Sequence, residues 1–394
     1  MKIDQNSIVK KPFIFIVLTC IYVSCIGQQY SKKWTDVNYA GDGKGYHSMD
    51  IYLPVASKEK HPVVVYIYGS AWFSNNMKGS DMNTIGNALL RAGYAVVVPN
   101  HRSSNDSLFP AQINDIKAVI RYIRGNCDKF SLDTTFIGIS GSSSGGHLAA
   151  LTGTSNHVRD FVIDSLTTHI EGNLGEYGEY SSKVNAVCDW FGPTDLLKID
   201  SCRNSSAYAE GQSPEEILIG CSKKACKSKF VPLNPITFID STTPPFLVFH
   251  GDADNVVPYC ESQLLYQALQ SSGVPGEFIL VPGGQHYTGV HTNTNINKMV
   301  DFFDSVSKNN TNSINKLPAE NSLNIYTNSA LNILYIDGIL EDSFDYEIID
   351  AAGKVISFDK ALSNRIDIAS LNHGIYILKL HLKNEKSYTG RFVK

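Results

Sequence analysis

A repeated alternation most restricts what this chain can fold into. The runs "PVVVYIYG" (62–69), "YAVVVPNHR" (94–102), "TFIGIS" (135–140), "VNAVCDWFG" (184–192), "PFLVFHG" (245–251) and "EFILVPG" (277–283) are each the length of a buried strand, and each closes on turn residues. Between several of them lie helical patterns. In "PAQINDIKAVIRYIRGN" the isoleucines Ile113, Ile116, Ile120 and Ile123 recur on one face, just after a proline. Strand and helix in alternation predict an α/β fold: a mostly parallel sheet with helices on both faces. In such sheets functional groups gather beyond the carboxyl ends of the strands.

One strand end stands out. "ISGSSSGGHLAA" (139–150) puts serines between glycines, with a strand pattern before it and helix formers after it. A strand-to-helix turn of the form Gly-x-Ser-x-Gly projects one hydroxyl above the sheet edge and leaves room only for glycine on either side. Only one register fits, Gly141-Ser142-Ser143-Ser144-Gly145, so Ser143 is the candidate nucleophile. A serine hydroxyl needs a base within hydrogen-bond reach and an acid to orient that base. The next strand ends supply both kinds of group: "HGDADNVVP" offers Asp252 and Asp254, and "GGQHYTGV" offers His286.

These stretches carry a resemblance. "GSSSGGHLA", "FPAQINDIKAVIRYIR", "DWFGPTDL", "NPITFID", "PPFLVFHGDADNVVP" and "GGQH" are similar to the secreted bacterial carboxylesterase/lipase branch of the α/β-hydrolases, which includes acetyl-xylan- and feruloyl-type esterases. The resemblance covers about Tyr30 to Lys308. It implies a triad of Ser143, His286 and Asp254, the last residue of H-G-x-x-D, with Asp252 as the lesser alternative. It implies structural roles for His147, Asp115 and Asp195. The oxyanion hole would take backbone N–H groups of Ser70, Ala71 and Ser144. Here the sequence departs from the family, since Tyr68-Gly69-Ser70-Ala71-Trp72 stands where His-Gly-Gly-Gly or His-Gly-Gly-Ala-Trp is usual. Neither a metal nor an organic cofactor is needed for this chemistry. The expected substrate is a small ester or an acylated polysaccharide; a serine peptidase of related fold or a non-catalytic surface-binding protein are the alternatives.

The two ends read differently. "KKPFIFIVLTCIYVSCIGQQ" has the charge and apolar core of a signal peptide, 1–27, with a lipoprotein anchor on Cys25 as the alternative. No integral membrane span is expected after its removal. Export makes a disulfide plausible within the polar segment holding Cys202, Cys221 and Cys226, while Cys188, in an apolar run, reads as a buried free thiol. With a formal charge of -4 and no basic run beyond the N-terminus, nucleic acid is not an expected partner. The esterase domain is placed at 28–306. A polar linker, 307–320, leads to strand patterns at 321–394 that predict a small all-β sandwich. "YEIIDAAGKVI", "IDIASLNHGIYILKL" and "GRFVK" resemble the sorting domains that direct Bacteroidetes-type proteins through the type IX secretion machinery, with a carbohydrate-binding or adhesion module as the rival reading. That resemblance implies a protein exported across both membranes, secreted or at the cell surface. The segments 154–182 and 202–229 are expected to shape the acyl and alcohol pockets.

Overall fold

The structure, a computed structural model, describes residues 30–55, 58–203, 208–314, 324–328, 333–337, 343–350, 353–361, 365–372, 374–382 and 387–394. The signal-peptide reading of 1–27 lies outside these residues. Eight strands form one sheet: β1 (Tyr30–Asn38), β2 (Ser48–Pro54), β3 (His61–Ile67), β4 (Ala95–Pro99), β5 (Leu132–Ser142), β8 (Ala186–Trp190), β9 (Phe246–Gly251) and β10 (Gly276–Val281), with β6 (Asp160–Ile163) and β7 (Leu166–His169) in a separate hairpin. The spatial order is β1-β2-β4-β3-β5-β8-β9-β10. From β4 to β10 every pairing is parallel, and only the pairings of β2 are antiparallel.

Continuous apolar strands require cover on both faces, and alternation within a strand assigns each side chain to one of them. Along β3, Val63, Val65 and Ile67 enter one core with Ile116, Ile120 and Ile123 of the helix Ala111–Gly125. Val64 and Tyr66 enter the other, with Met299 and Phe303 of the helix Asn293–Ile314. Ile113, predicted on the same face as the other isoleucines, is equally buried but packs with Leu151 and Ile170. The chain therefore has the α/β-hydrolase fold, with β5 central and its carboxyl end opening at the Gly141–Gly145 turn.

The last helix passes the expected boundary at residue 306 and continues to Ile314, into the stretch read as a linker. No proline or glycine interrupts the sequence before Pro318, and extending an existing helix costs far less than starting one. Beyond it, a three-stranded and a four-stranded antiparallel sheet share a core of Leu334, Ile336, Phe344, Ile348, Leu378, Leu380 and Phe392, a small β-sandwich as expected. Among the described residues no helix is long and apolar enough to cross a membrane.

Candidate active site

Ser143 is the one residue between β5 and the helix Ser144–Thr154, and the turn is tight enough to force it into φ 56°, ψ -123°. Such a conformation costs on the order of 1–3 kcal/mol for a non-glycine residue and persists only where its surroundings hold it. The flanking glycines show why. A Cβ on Gly141 would lie 2.3 Å from Gly145 O, and one on Gly145 would lie 2.2 Å from Ile67 O.

The neighbouring hydroxyls are engaged elsewhere. Ser142 Oγ is buried, 2.7 Å from Tyr66 Oη and 3.1 Å from His291 Nε2, and Tyr66 Oη donates to Asp81 Oδ2 at 2.8 Å. Donation therefore runs in one direction, from His291 through Ser142 and Tyr66 to the Asp81 carboxylate. Burial raises the pKa of Asp81, and the hydrogen bond from Tyr66 opposes that rise. Burial, then the proximity of His286, pushes the His291 imidazole down to about 4, which keeps it neutral. Ser144 Oγ accepts the Ser70 N–H at 2.8 Å. Ser140 Oγ accepts from Trp190 Nε1 at 3.2 Å.

Ser143 Oγ instead lies 3.0 Å from His286 Nε2, and His286 Nδ1 lies 2.7 Å from Asp254 Oδ2. Burial would raise the pKa of Asp254. The hydrogen bonds from His250 and His286, and the backbone donors behind it, instead hold the carboxyl well below the usual range. It stays ionised, so Nδ1 of His286 carries the proton and Nε2 is left to accept from Ser143. Asp254 Oδ1 is fixed by the N–H groups of Val256 (2.8 Å) and Val257 (2.9 Å). Asp252 faces away and accepts the Gly283 N–H at 2.7 Å, tying the β9 and β10 loops together.

His250 was not singled out from sequence, although it is the His of H-G-x-x-D. Its Nε2 donates to Val257 O at 2.8 Å and lies 3.3 Å from Asp254 Oδ2, and its Nδ1 lies 2.7 Å from Ser262 Oγ. It pins the loop that carries Asp254 to the helix Cys260–Ser271.

The loop 68–74 carries two of the three expected oxyanion donors, Ser70 and Ala71. Tyr68, in place of the usual histidine, is buried, stacks on His101 with centroids 5.0 Å apart, and donates to Ser74 O at 3.0 Å, which closes the loop at its base. Ala71 and Trp72 both have positive φ, 50° and 62°. Of the three expected donors, the Ser70 N–H is occupied by Ser144 Oγ, which leaves Ala71 N–H and the first N–H of the helix, that of Ser144, both without a partner among the described residues. The residues expected to be structural are buried and bonded: His147 Nε2 donates to Leu233 O, Asp115 pairs with Arg102, and Asp195 Oδ1 accepts from Asn234.

Two of the cavities among the described residues are lined by residues other than those of this centre. One of about 540 Å³ is lined by Asp36, Tyr46, Asn75, Asn76, Lys78 and Asn100 among others. The other, about 200 Å³, lies where the hairpin residues Leu166–His169 meet Ile219 and Lys229. So the two segments expected to shape the substrate pockets do meet, but neither cavity includes Ser143, Asp254 or His286. Cysteine pairing also departs from expectation in part. Cys221 pairs with Cys226 within the polar segment, whereas Cys202 reaches out of it to Cys260. Cys188 is buried and free. Among the described residues Cys202, Cys260 and Glu261 have ligand atoms close enough for a metal, but the two sulfurs are joined to each other.

Residues 49–269 match the BD-FAE family model. The chain belongs to the BD-FAE family. The BD-FAE match includes Ser143 and Asp254 and ends before His286. Residues 318–394 match a second description, the secretion system C-terminal sorting domain. Among solved structures, a truncated form of a carbohydrate esterase from gut microbiota is 44% identical, covering 71% of this chain and 98% of that one, with a TM-score of 0.69. A bifunctional GH43-CE protein of Bacteroides eggerthii is 48% identical, covering 70% of this chain and 35% of that one, with a TM-score of 0.67. Esterase LipQ of Mycobacterium tuberculosis is 26% identical over 250 residues, 62% of this chain and 55% of the relative. The chain spans about half the length of the curated relatives it matches.

Proposed function

We propose that the chain is an exported serine carboxylesterase that acts on acylated polysaccharide. The observation that carries this reading is the unbroken hydrogen-bonded series Ser143 Oγ, His286, Asp254, with Nε2 facing the hydroxyl at 3.0 Å and Nδ1 facing the carboxylate at 2.7 Å. In this mechanism Ser143 Oγ attacks the ester carbonyl while His286 Nε2 takes its proton. The carbonyl electrons move onto oxygen, where the Ala71 and Ser144 N–H groups stabilise the charge. Collapse expels the alcohol, which takes the proton from His286, and leaves an acyl-Ser143. Water, deprotonated by His286, then releases the acid. Asp254 stays ionised throughout and orients the imidazole.

The carbohydrate esterase relative supports the substrate class, being 44% identical over nearly its whole length. The sorting-domain match supports export and release or surface attachment, with residues 28–314 as the catalytic unit and the C-terminal sandwich as the address. The test is acetate release from acetylated xylan, with p-nitrophenyl acetate as a general ester control and intact-mass analysis after a fluorophosphonate probe. A single adduct on Ser143 with acetate release supports the reading; an adduct on another serine, or an unreactive protein, rejects it.

A further inference from the structure

Tyr287, directly after His286, has a backbone that needs a reason. It sits at φ 67°, at the centre of a three-residue turn closed by Thr288 N–H to His286 O at 2.9 Å. Turns of this kind with positive φ are rare and strained. The surrounding loop holds it there: Gln285 N–H bonds Thr288 O, and Val290 and His291 N–H both reach Tyr287 O. What the strain achieves is the placement of a phenol. A Cβ on Gly69 would meet Tyr287 Oη at 2.2 Å, Ser142 O at 2.6 Å and Ser143 Cβ at 2.8 Å, so the hydroxyl stands against the second residue of the loop 68–74, beside the nucleophile.

That hydroxyl makes no hydrogen bond among the described residues, and it is not one of the polar atoms sealed from solvent. The ring is anchored by Phe191 (4.9 Å) and His291 (5.4 Å), so the phenol is held in place while its tip stays free. Burial, then the field of Asp81, pushes its ionisation well above the ordinary tyrosine range, so it remains a donor at any working pH. At the residue after Gly69, the Ser70 N–H has been given to Ser144 Oγ. The hole lacks one backbone donor, and an unused side-chain donor stands at its edge.

We propose that Tyr287 is a catalytic residue whose Oη–H donates to the carbonyl oxygen of the bound ester and to the oxyanion formed from it, replacing the donor that Ser70 has lost. No bond other than this hydrogen bond is made, and the phenol keeps its proton. The inference rests on the esterase reading above. Tyr287→Phe keeps the anchored ring and should lower kcat on p-nitrophenyl acetate by roughly 10²-fold, the scale of losing one oxyanion donor, with KM little changed. Inhibition by benzeneboronic acid, which forms a tetrahedral adduct on the serine, should weaken in parallel. A structural role would shift the melting temperature or KM instead. Should Tyr287→Phe not fold, tetrafluorotyrosine installed at 287 retains the ring and hydroxyl but is a far stronger acid, strong enough to offset the burial that holds the tyrosine proton, and should bring a new alkaline loss of kcat. Unchanged kcat in the Phe protein, or no new alkaline limb in the tetrafluorotyrosine protein, overturns the proposal. With wild-type enzyme active and labelled at Ser143, such a result leaves the esterase reading standing; an inactive, unlabelled wild type rejects both.

Discussion

Three adjacent serines differ in chemistry because strand geometry sends their side chains in different directions. Ser143 alone faces His286, so Ser143→Ala should abolish ester hydrolysis, on the order of 10⁶ in kcat. Ser142→Ala removes the middle of a buried hydrogen-bonded chain and strands His291 Nε2, at a cost of about 1–3 kcal/mol. The expected result is a lower urea midpoint with Ser143 still labelled by fluorophosphonate; loss of labelling with unchanged stability would contradict it. Asp189 supplies a pH prediction. Burial, opposed by the Gly192 N–H, raises its carboxyl from 3.8 to about 7, and among the described residues its Oδ2 has no partner. Below pH 3.8 both folded and unfolded forms are protonated and nothing is lost. As pH rises toward 7 the unfolded chain releases the proton first, so stability falls by about 1.4 kcal/mol per pH unit and the full cost stands above pH 7. Asp189→Asn should therefore stabilise the protein at pH 8 by far more than at pH 4, read from urea unfolding at both; an equal effect at the two pH values would sink the idea. The Gly-x-Ser-x-Gly register was legible because its glycines are demanded by backbone approach within a few residues. Neither the Ser70–Ser144 bond nor the position of Tyr287 could be read, since each depends on loops far apart in sequence meeting over the sheet.

At the level of elements, alternating strands and helices give the layer arrangement, and with it the rule that Asp254 and His286 sit at strand ends. Turn residues announce where those ends are. Partners of the polar segment holding Cys202, Cys221 and Cys226 were less legible, because cysteine pairing follows from which surfaces pack together and the sequence around Cys202 has no periodicity to reveal its neighbour. The structure sets Cys202 against the first residue of the helix Cys260–Ser271, whose next residue, Glu261, accepts the N–H groups of Thr194 and Asp195. This crosslink spans 58 residues, against 5 for Cys221–Cys226. In the chain-entropy account the long loop contributes about 4 kcal/mol and the short one about 2. Replacing Cys202 and Cys260 together by serine should lower the melting temperature more than the same change at Cys221 and Cys226. Because the Cys260 helix also holds His250 through Ser262, the first pair should in addition slow ester hydrolysis, whereas the second leaves it intact. Equal thermal losses from the two double variants would show that the crosslinks do not act through loop closure.

Over the whole molecule, the proposed catalytic residues and the C-terminal sandwich occupy separate stretches of chain, and no proposed triad member or oxyanion donor lies beyond Tyr287. A cut between them should leave a working enzyme, and the structure says where to place it. A boundary at 306, suggested by the change to polar sequence, falls inside the helix Asn293–Ile314. Ile296, Met299 and Phe303 dock that helix on the sheet, and Val306 still packs partly against the same core. Ending the chain at 306 removes the helical turns that satisfy the carbonyl groups of its docked part, whereas ending it at 314 leaves them hydrogen-bonded. The 314 form, made in the cytoplasm without residues 1–27 under conditions that let both disulfides form, should match the full chain in kcat/KM and in melting temperature, while the 306 form melts lower. In the native host, loss of the residues that match the sorting domain should hold the 314 form in the periplasm. Fractionation followed by esterase assay of medium, envelope and periplasm reads this directly. Enzyme reaching the medium in normal amounts without residues 318–394 would remove the sorting role, and loss of binding to insoluble polysaccharide in the same protein would assign the sandwich to substrate adhesion instead.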